Sequence, residues 1–256
     1  MQKFLFVLLV CLCSKAFADT SVMVYDITED KHQYNSNINK TRPIASITKL
    51  MTVMVSLNND QNLLREVKLV NRVKSSLPMQ SYKRYDLIKA VLVKSDNGAA
   101  ETIAEDYPGG RKAFIKSMND TAKKIGMMST HFDDPTGLSS KNTSTASEVA
   151  IMASYAANYL IIREISIQKQ IAIEAKFKKK IRTIILNNTN KPILFEFDTI
   201  VVSKTGFTNP AGWCNVLIVE KNKKRYAIVV LGAPNKQSRI KTVENMMYNH
   251  INDSEI

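Results

Sequence analysis

Cysteine is scarce in this 256-residue chain, which holds three: Cys11, Cys13 and Cys214. Two of them fall at the extreme N-terminus, so the body of the chain has Cys214 alone. That excludes an intrachain disulfide and a thiolate metal centre, and leaves stability to a packed core. Histidine is equally rare. His32, His131 and His250 are scattered without metal-ligand spacing, so no metal and no cofactor is expected. Long apolar runs are missing too. The run Phe4 to Cys13 is shorter than the about 20 residues that span a bilayer. With Lys3 before it and Ala16-Phe17-Ala18 after it, it has the layout of a secretory leader. Bulky Val10 and Leu12 before the two cysteines disfavour lipid attachment there. Residues 1–18 are therefore expected to be removed on export to the periplasm, leaving one domain over 19–256.

Acidic residues are few: 23 Asp and Glu against 36 Lys and Arg, a formal charge of +13. Loss of Lys3 and Lys15 with the leader would leave +11. A basic exported protein is drawn to anionic wall polymer or lipid, although a chain rich in Lys, Asn and Ile throughout acquires such a charge without selection for it. Export excludes nucleic acid as a partner. No repeat, low-complexity tract or Pro/Gly linker divides the chain.

Periodicity supplies the elements. Ser21 to Ile27 alternates and meets a turn at Thr28-Glu29-Asp30, with Gln33 to Ile38 as hairpin partner. Ile47, Leu50, Met51, Met54 and Val55 recur at helical spacing over Ser46 to Leu57. Helices follow over Asp86 to Lys94, Ala99 to Glu105 and Arg111 to Ile125, the last stopped by Gly126. Ser144-Thr145-Ala146-Ser147-Glu148 opens a further helix with a capping hydroxyl and an acidic first turn. Beyond Leu160 the runs turn β-rich: Ile171 to Ala175, Arg182 to Leu186 and Ile200 to Val202. Trp213 to Val219 and Arg225 to Leu231 flank a hairpin turn, and Lys236 to His250 closes the chain as a helix. A first hairpin, a block of helices, then strands and a last helix imply an α+β fold built on an antiparallel sheet.

Three strings in order carry the chemistry: Ser46-Ile47-Thr48-Lys49, Ser95-Asp96-Asn97 and Lys204-Thr205-Gly206. None is specific alone. Ser166 to Lys169 and Ser238 to Lys241 repeat the first spacing, and Ser56-Leu57-Asn58, Ser117-Met118-Asn119 and Ser140-Lys141-Asn142 repeat the second. Context separates the first copy. Ser46 follows Pro43 at the start of an apolar helix, where backbone N–H groups favour developing negative charge. Lys49, three residues on, shares its face. A lysine acts as a base only when neutral, which burial and a neighbouring cation promote; Lys204 is the candidate neighbour. Lys204-Thr205-Gly206 reads as an edge strand, with Gly206 admitting close approach of a substrate backbone.

These motifs are the signature set of penicillin-binding proteins and class A β-lactamases. In order and surroundings the chain resembles the low-molecular-mass penicillin-binding proteins, the D-alanyl-D-alanine peptidase family S11. Asp134-Pro135-Thr136-Gly137-Leu138, Asn142 and Ser144-Thr145-Ala146 add to the likeness. Tyr107-Pro108-Gly109-Gly110 and Lys204 to Asn209 are most similar to its D-alanyl-D-alanine endopeptidase branch. The resemblance implies Ser46 as nucleophile, Lys49 as base, and Ser95 as proton relay beside Lys204. It implies Asn97 on the substrate amide and an oxyanion hole from the backbone N–H groups of Ser46 and Phe207. It also places Arg239, with Thr205, on the substrate carboxylate. Peptidoglycan stem peptides would be substrates and β-lactams covalent inhibitors.

Two departures matter. Asp96 stands where the endopeptidase branch has Glu, and Ser-Asp-Asn is the β-lactamase spelling. The Glu-x-x-Leu-Asn loop that β-lactamases use for deacylation is absent between Asn97 and Lys204. Only 50 residues follow Gly206, too few for the second domain and amphipathic anchor of the family's carboxypeptidases, so no stable membrane anchor is expected. Carboxypeptidase trimming of pentapeptide stems is the alternative activity, using the same residues. A catalytically idle wall-binding protein is the alternative of another class, and it would need a broken motif.

Overall fold

The computed structural model describes residues 19–58, 62–178 and 180–252; the leader assigned to residues 1–18 lies outside them. In chain order the elements are β1 (Ser21–Asp26), β2 (Lys31–Ser36), β3 (Arg42–Pro43), a 3₁₀ turn (Ala45–Thr48) and α1 (Lys49–Leu57). Next come β4 (Glu66–Lys68), β5 (Ser81–Lys83), and α2 (Arg84–Lys89), which runs on into a π-helical turn (Ala90–Lys94). Then follow α3 (Asn97–Glu105), α4 (Gly110–Lys124), β6 (Thr143–Ser144), α5 (Ala146–Ala156) and α6 (Leu160–Ser166). The last third holds β7 (Gln170–Phe177), β8 (Lys180–Asn187), α7 (Lys191–Glu196), β9 (Ile200–Thr208), β10 (Gly212–Lys221), β11 (Lys224–Ala233) and α8 (Lys236–Met247).

The α+β expectation is met. A five-stranded antiparallel sheet runs β2-β1-β11-β10-β9, so the first strand pairs with the last, Ser21 opposite Leu231. Strand alternation splits its side chains between two cores. Met23, Val202, Val216, Val229 and Leu231 face the helical block, whereas Val22, Val24, Leu217, Ile228 and Val230 pack under α7 and α8. Helix α1 is buried along Lys49–Ser56, the pattern of a central core helix rather than an amphipathic surface one. A four-stranded sheet, β4-β5-β7-β8, stands apart. Among the described residues no helix is long and apolar enough to cross a membrane.

The expected hairpins and helices are all present with ends shifted by a few residues. Thr145 caps α5 by accepting from the Glu148 N–H, and Gly126 at φ +90 ends α4. The β7 and β8 strands extend one or two residues past the runs expected at each end, and β9 joins the expected Ile200–Val202 run and the Lys204-Thr205-Gly206 edge strand into one. Three features went unread. The two strands β4 and β5, of three residues each, are too short to show a period. Helix α6 is spelled Leu-Ile-Ile-Arg-Glu-Ile-Ser, whose β-branched residues argue for strand until its packing decides otherwise. Helix α7 spans six residues, barely more than a turn.

Candidate active site

The site forms where the 3₁₀ turn ahead of α1 meets β9, which is the sheet edge because it pairs only with β10. Ala45 just before the nucleophile candidate has φ +46, a left-handed conformation costly for a residue with a Cβ and often found where function fixes the backbone. A Cβ at Gly206 would lie 2.9 Å from the Ser46 backbone nitrogen and 3.1 Å from the Ile44 carbonyl. A side chain at residue 206 would therefore press on the turn that carries Ser46, and Gly206 itself lines the cleft beside it. Gly137 closes the site from the other side: at φ +81, any Cβ there would overlap the Ala45 carbonyl.

Lys49 is fully buried and reaches three oxygens: Ser46 Oγ at 2.9 Å, Asn97 Oδ1 at 2.7 Å and the Thr136 carbonyl at 2.6 Å. Two of these are pure acceptors, and the hydroxyl is the only partner able to donate. As an ammonium Lys49 donates to all three oxygens; as a neutral amine it keeps two N–H bonds for Asn97 and Thr136 and turns its lone pair to the Ser46 hydroxyl. Burial lowers its pKa to about 7, against the opposing pull of the Asp134, Asp96 and Glu101 carboxylates. Of the two causes expected, burial is the one that acts on Lys49, and the charge effect runs the other way, from Lys49 onto Lys204. Lys204, equally buried, is held well below the ordinary lysine value by burial first, then by Lys49 and Arg239.

Ser95 sits at φ +60 where the π-helical turn ends, and its Oγ takes a hydrogen bond from Lys204 Nζ at 2.9 Å. Lys204 also donates to the Thr205 carbonyl at 2.9 Å. Asp96 has a structural task. It caps α3 through the Ala99 N–H at 2.8 Å and accepts from Ser75 Oγ, Ser76 N–H and Ser76 Oγ at 2.7–2.8 Å. Asp96 thus ties the Ser75–Ser76 loop to the start of α3.

The cleft beside Ser46 has a volume of about 440 Å³ and is lined by Ser95, Thr189, Thr205, Phe207 and Arg239, among others. Arg239, in the first turns of α8, is 1% exposed, and its Nε and Nη2 have no hydrogen-bond partner. Burial pulls its pKa down to about 10, partly opposed by Cys214. An unpartnered guanidinium in a cleft calls for a carboxylate. Thr205 Oγ1 bonds Thr189 Oγ1 at 2.7 Å, and Phe207 stacks on Trp213 with centroids 4.3 Å apart.

All nine residues singled out from the motifs are thus gathered at one site. The competing copies are not: Ser166 is buried and accepts from the Ser203 N–H, and Ser238 belongs to the capping turn of α8. Sequence reasoning gave no role to Thr136, because its contribution is a backbone carbonyl. It is held by Asp134, whose carboxylate accepts from the N–H groups of Thr136, Gly137 and Ser139 and from Thr136 Oγ1 at 2.6–2.8 Å. The Asp-Pro-Thr-Gly spelling, typical of a turn built on an aspartate side chain, was the available signal. Thr189 carries no sequence signal.

A family profile described as D-alanyl-D-alanine carboxypeptidase, peptidase S11, matches residues 13–235. The chain belongs to the peptidase S11 family. Among curated S11 relatives it is 38% identical over 224 residues to the D-alanyl-D-alanine endopeptidase of Escherichia coli (strain K12), covering 84% of this chain and 72% of that one. It is 35% identical, with the same coverage, to the D-alanyl-D-alanine endopeptidase of Pseudomonas aeruginosa. Its fold superposes on penicillin-binding protein D2 of Listeria monocytogenes, solved in an ampicillin-bound form, with TM-score 0.79, 29% identity and 90% and 96% of the two chains covered. As an S11 member the protein is a serine-type D-alanyl-D-alanine peptidase with the penicillin-binding-protein fold.

Proposed function

We propose that the protein is an exported D-alanyl-D-alanine endopeptidase that hydrolyses peptide cross-links of peptidoglycan through an acyl-enzyme on Ser46. The observation that carries this reading is the 2.9 Å contact between Ser46 Oγ and the Nζ of Lys49, a lysine whose burial brings its pKa down to about 7. Lys49 takes the Ser46 proton as Oγ attacks the D-alanyl carbonyl. The backbone N–H groups of Ser46 and Phe207 receive the developing oxyanion, an effect worth about 3–4 kcal/mol of barrier per donor in related chemistry. Asn97, its oxygen engaged by Lys49, keeps its Nδ2 for a substrate carbonyl. Ser95, held by Lys204, passes the proton taken up by Lys49 on to the departing amine, which returns Lys49 to its neutral form. Water then releases the acyl group, with Lys49 again as base. β-Lactams enter the first half of this sequence and stall as adducts on Ser46.

Arg239 and Thr205 receive the carboxylate on the carbon that bears the leaving nitrogen. Lys191 and Lys236 line the same cleft, and neither has a carboxylate within ion-pair distance among the described residues. That surplus of positive charge favours a leaving group with more than one carboxylate. A neighbouring stem peptide has that, whereas free D-alanine has one. The carboxypeptidase alternative uses the same residues without this preference. The idle wall-binding alternative gives no account of two lysines buried with lowered pKa. Residues 19–256 act as one periplasmic domain in this reading, after loss of the 1–18 leader.

The test is mass spectrometry of purified protein with cross-linked muropeptide dimers mixed with monomeric pentapeptides. Loss of dimers, abolished by Ser46→Ala, is the expected result. Trimming of pentapeptides with dimers untouched would make the enzyme a carboxypeptidase instead.

A further inference from the structure

The hairpin of β7 and β8 lies outside the chemistry just described, and its tip breaks several rules at once. Lys176-Phe177-Lys178-Lys179-Lys180-Ile181-Arg182 places five cations and two apolar side chains in seven residues, with no acidic one. Phe177 pairs with Lys180 across the tip, so the turn is only two residues long. Such turns favour Asn and Gly because they require positive φ. Here Lys178 adopts φ +54, so a charged residue is kept against the backbone's own preference. Phe177 and Ile181 are 46% and 65% exposed, and Ile185 further along β8 is exposed as well.

Packing does not explain these apolar groups, and ion pairing does not explain the charges. Strand alternation puts Phe177 on the face that Ile173 and Ala175 bury lower down, and Ile181 on the opposite face. Apolar side chains thus emerge on both sides of the tip. Of the described tip cations Lys176 alone has an ion-pair partner among the described residues, Glu66 at 2.8 Å. Lys178, Lys180 and Arg182 have no carboxylate within ion-pair distance among the described residues, and Lys178 Nζ instead lies 5.7 Å from the Phe177 ring.

We infer that this hairpin tip docks reversibly, end-on, on an anionic phospholipid surface. Cations near such a surface each strengthen binding about fivefold, and apolar side chains among them gain by entering the headgroup boundary. An acidic polymer would match the charges but gives no reason to expose Phe177 and Ile181 to water. Docking by a few side chains is weak and reversible, unlike anchoring by a spanning helix. It would hold the peptidase near a membrane face while leaving the Ser46 cleft free.

Sedimentation of the purified protein with vesicles tests this. Vesicles of phosphatidylcholine with phosphatidylglycerol should carry the protein down, less so at high salt, and phosphatidylcholine alone should not. Phe177→Ser with Ile181→Ser should weaken partitioning about tenfold, and Lys178→Glu with Lys180→Glu should remove it. Both variants should acylate Ser46 with a β-lactam as the wild type does, which reports an intact fold. No sedimentation of the wild type would overturn the inference. So would an apolar variant that binds like wild type while the charge variant does not, since the tip would then be a site for acidic polymers.

Discussion

If Lys49 is the base, its protonation sets the pH dependence of acylation, and the size of the effect follows from its burial. An ordinary lysine is neutral about once in 3,000 at pH 7. With its pKa lowered to about 7 by burial, Lys49 is neutral about half the time. The site thus raises the competent fraction about 1,500-fold, equivalent to about 4 kcal/mol of barrier. Stopped-flow acylation with a fluorescent penicillin across pH 5 to 9 reads this directly. The rate should be level above pH 7 and fall tenfold per unit below it, reaching about a hundredfold loss at pH 5. Lys49→Arg should lose at least about a thousandfold at every pH, because a guanidinium stays protonated. The same shift also appears in stability. Between about pH 7 and 10.5 the unfolded chain binds the Lys49 proton more than the folded one does, so the Lys49 contribution to stability rises with pH in that window and is level below it. Thermal melts of wild type against Lys49→Met should therefore diverge in favour of wild type as pH rises from 7 to 9.5. An acylation rate still rising tenfold per unit up to pH 9, or an arginine variant within tenfold of wild type, would refute the reasoning.

Other consequences follow from the same geometry. Arg239→Ala should lower kcat/KM for carboxylate-bearing peptides about 10- to 100-fold, the range for losing a charge-assisted hydrogen-bond pair; the same peptides with the carboxylate amidated should lose far less, and equal losses would remove the proposed role. Gly137→Ala should cost about 1–3 kcal/mol and displace the Ala45–Ser46 turn, seen as a lower melting temperature together with loss of penicillin labelling. Lys191→Gln with Lys236→Gln should raise KM for cross-linked dimers at least about fivefold more than for pentapeptides; parallel changes would separate these lysines from the leaving group.

How much was legible depended on how local the signal was. Ser46 and Lys49 lie one helical turn apart, so their contact is a property of the sequence spacing. The β10–β11 hairpin was equally plain, because two apolar runs flank a turn of Lys and Asn residues. The pairing of β1 with β11 joins Ser21 to Leu231 and has no local signature; it follows only when helices on both faces need one sheet to cover. Lys204 could be placed at the site by motif order and Arg239 by family resemblance, yet the electrostatics between the lysines could not be read. Burial is a tertiary quantity, and it outweighs the neighbouring charge at Lys49. The Thr136 carbonyl was invisible for a simpler reason: side-chain patterns do not spell backbone acceptors. Gly206 was read as small to admit a substrate backbone, and the closeness of the Ser46 turn adds a second demand for glycine that the sequence did not show.

The most direct test of the central claim is peptide mapping after brief exposure to benzylpenicillin. The account predicts one adduct, on the peptide containing Ser46, absent from Ser46→Ala, with Ser166 and Ser238 unmodified. An adduct at another serine, or one that persists in Ser46→Ala, would contradict it.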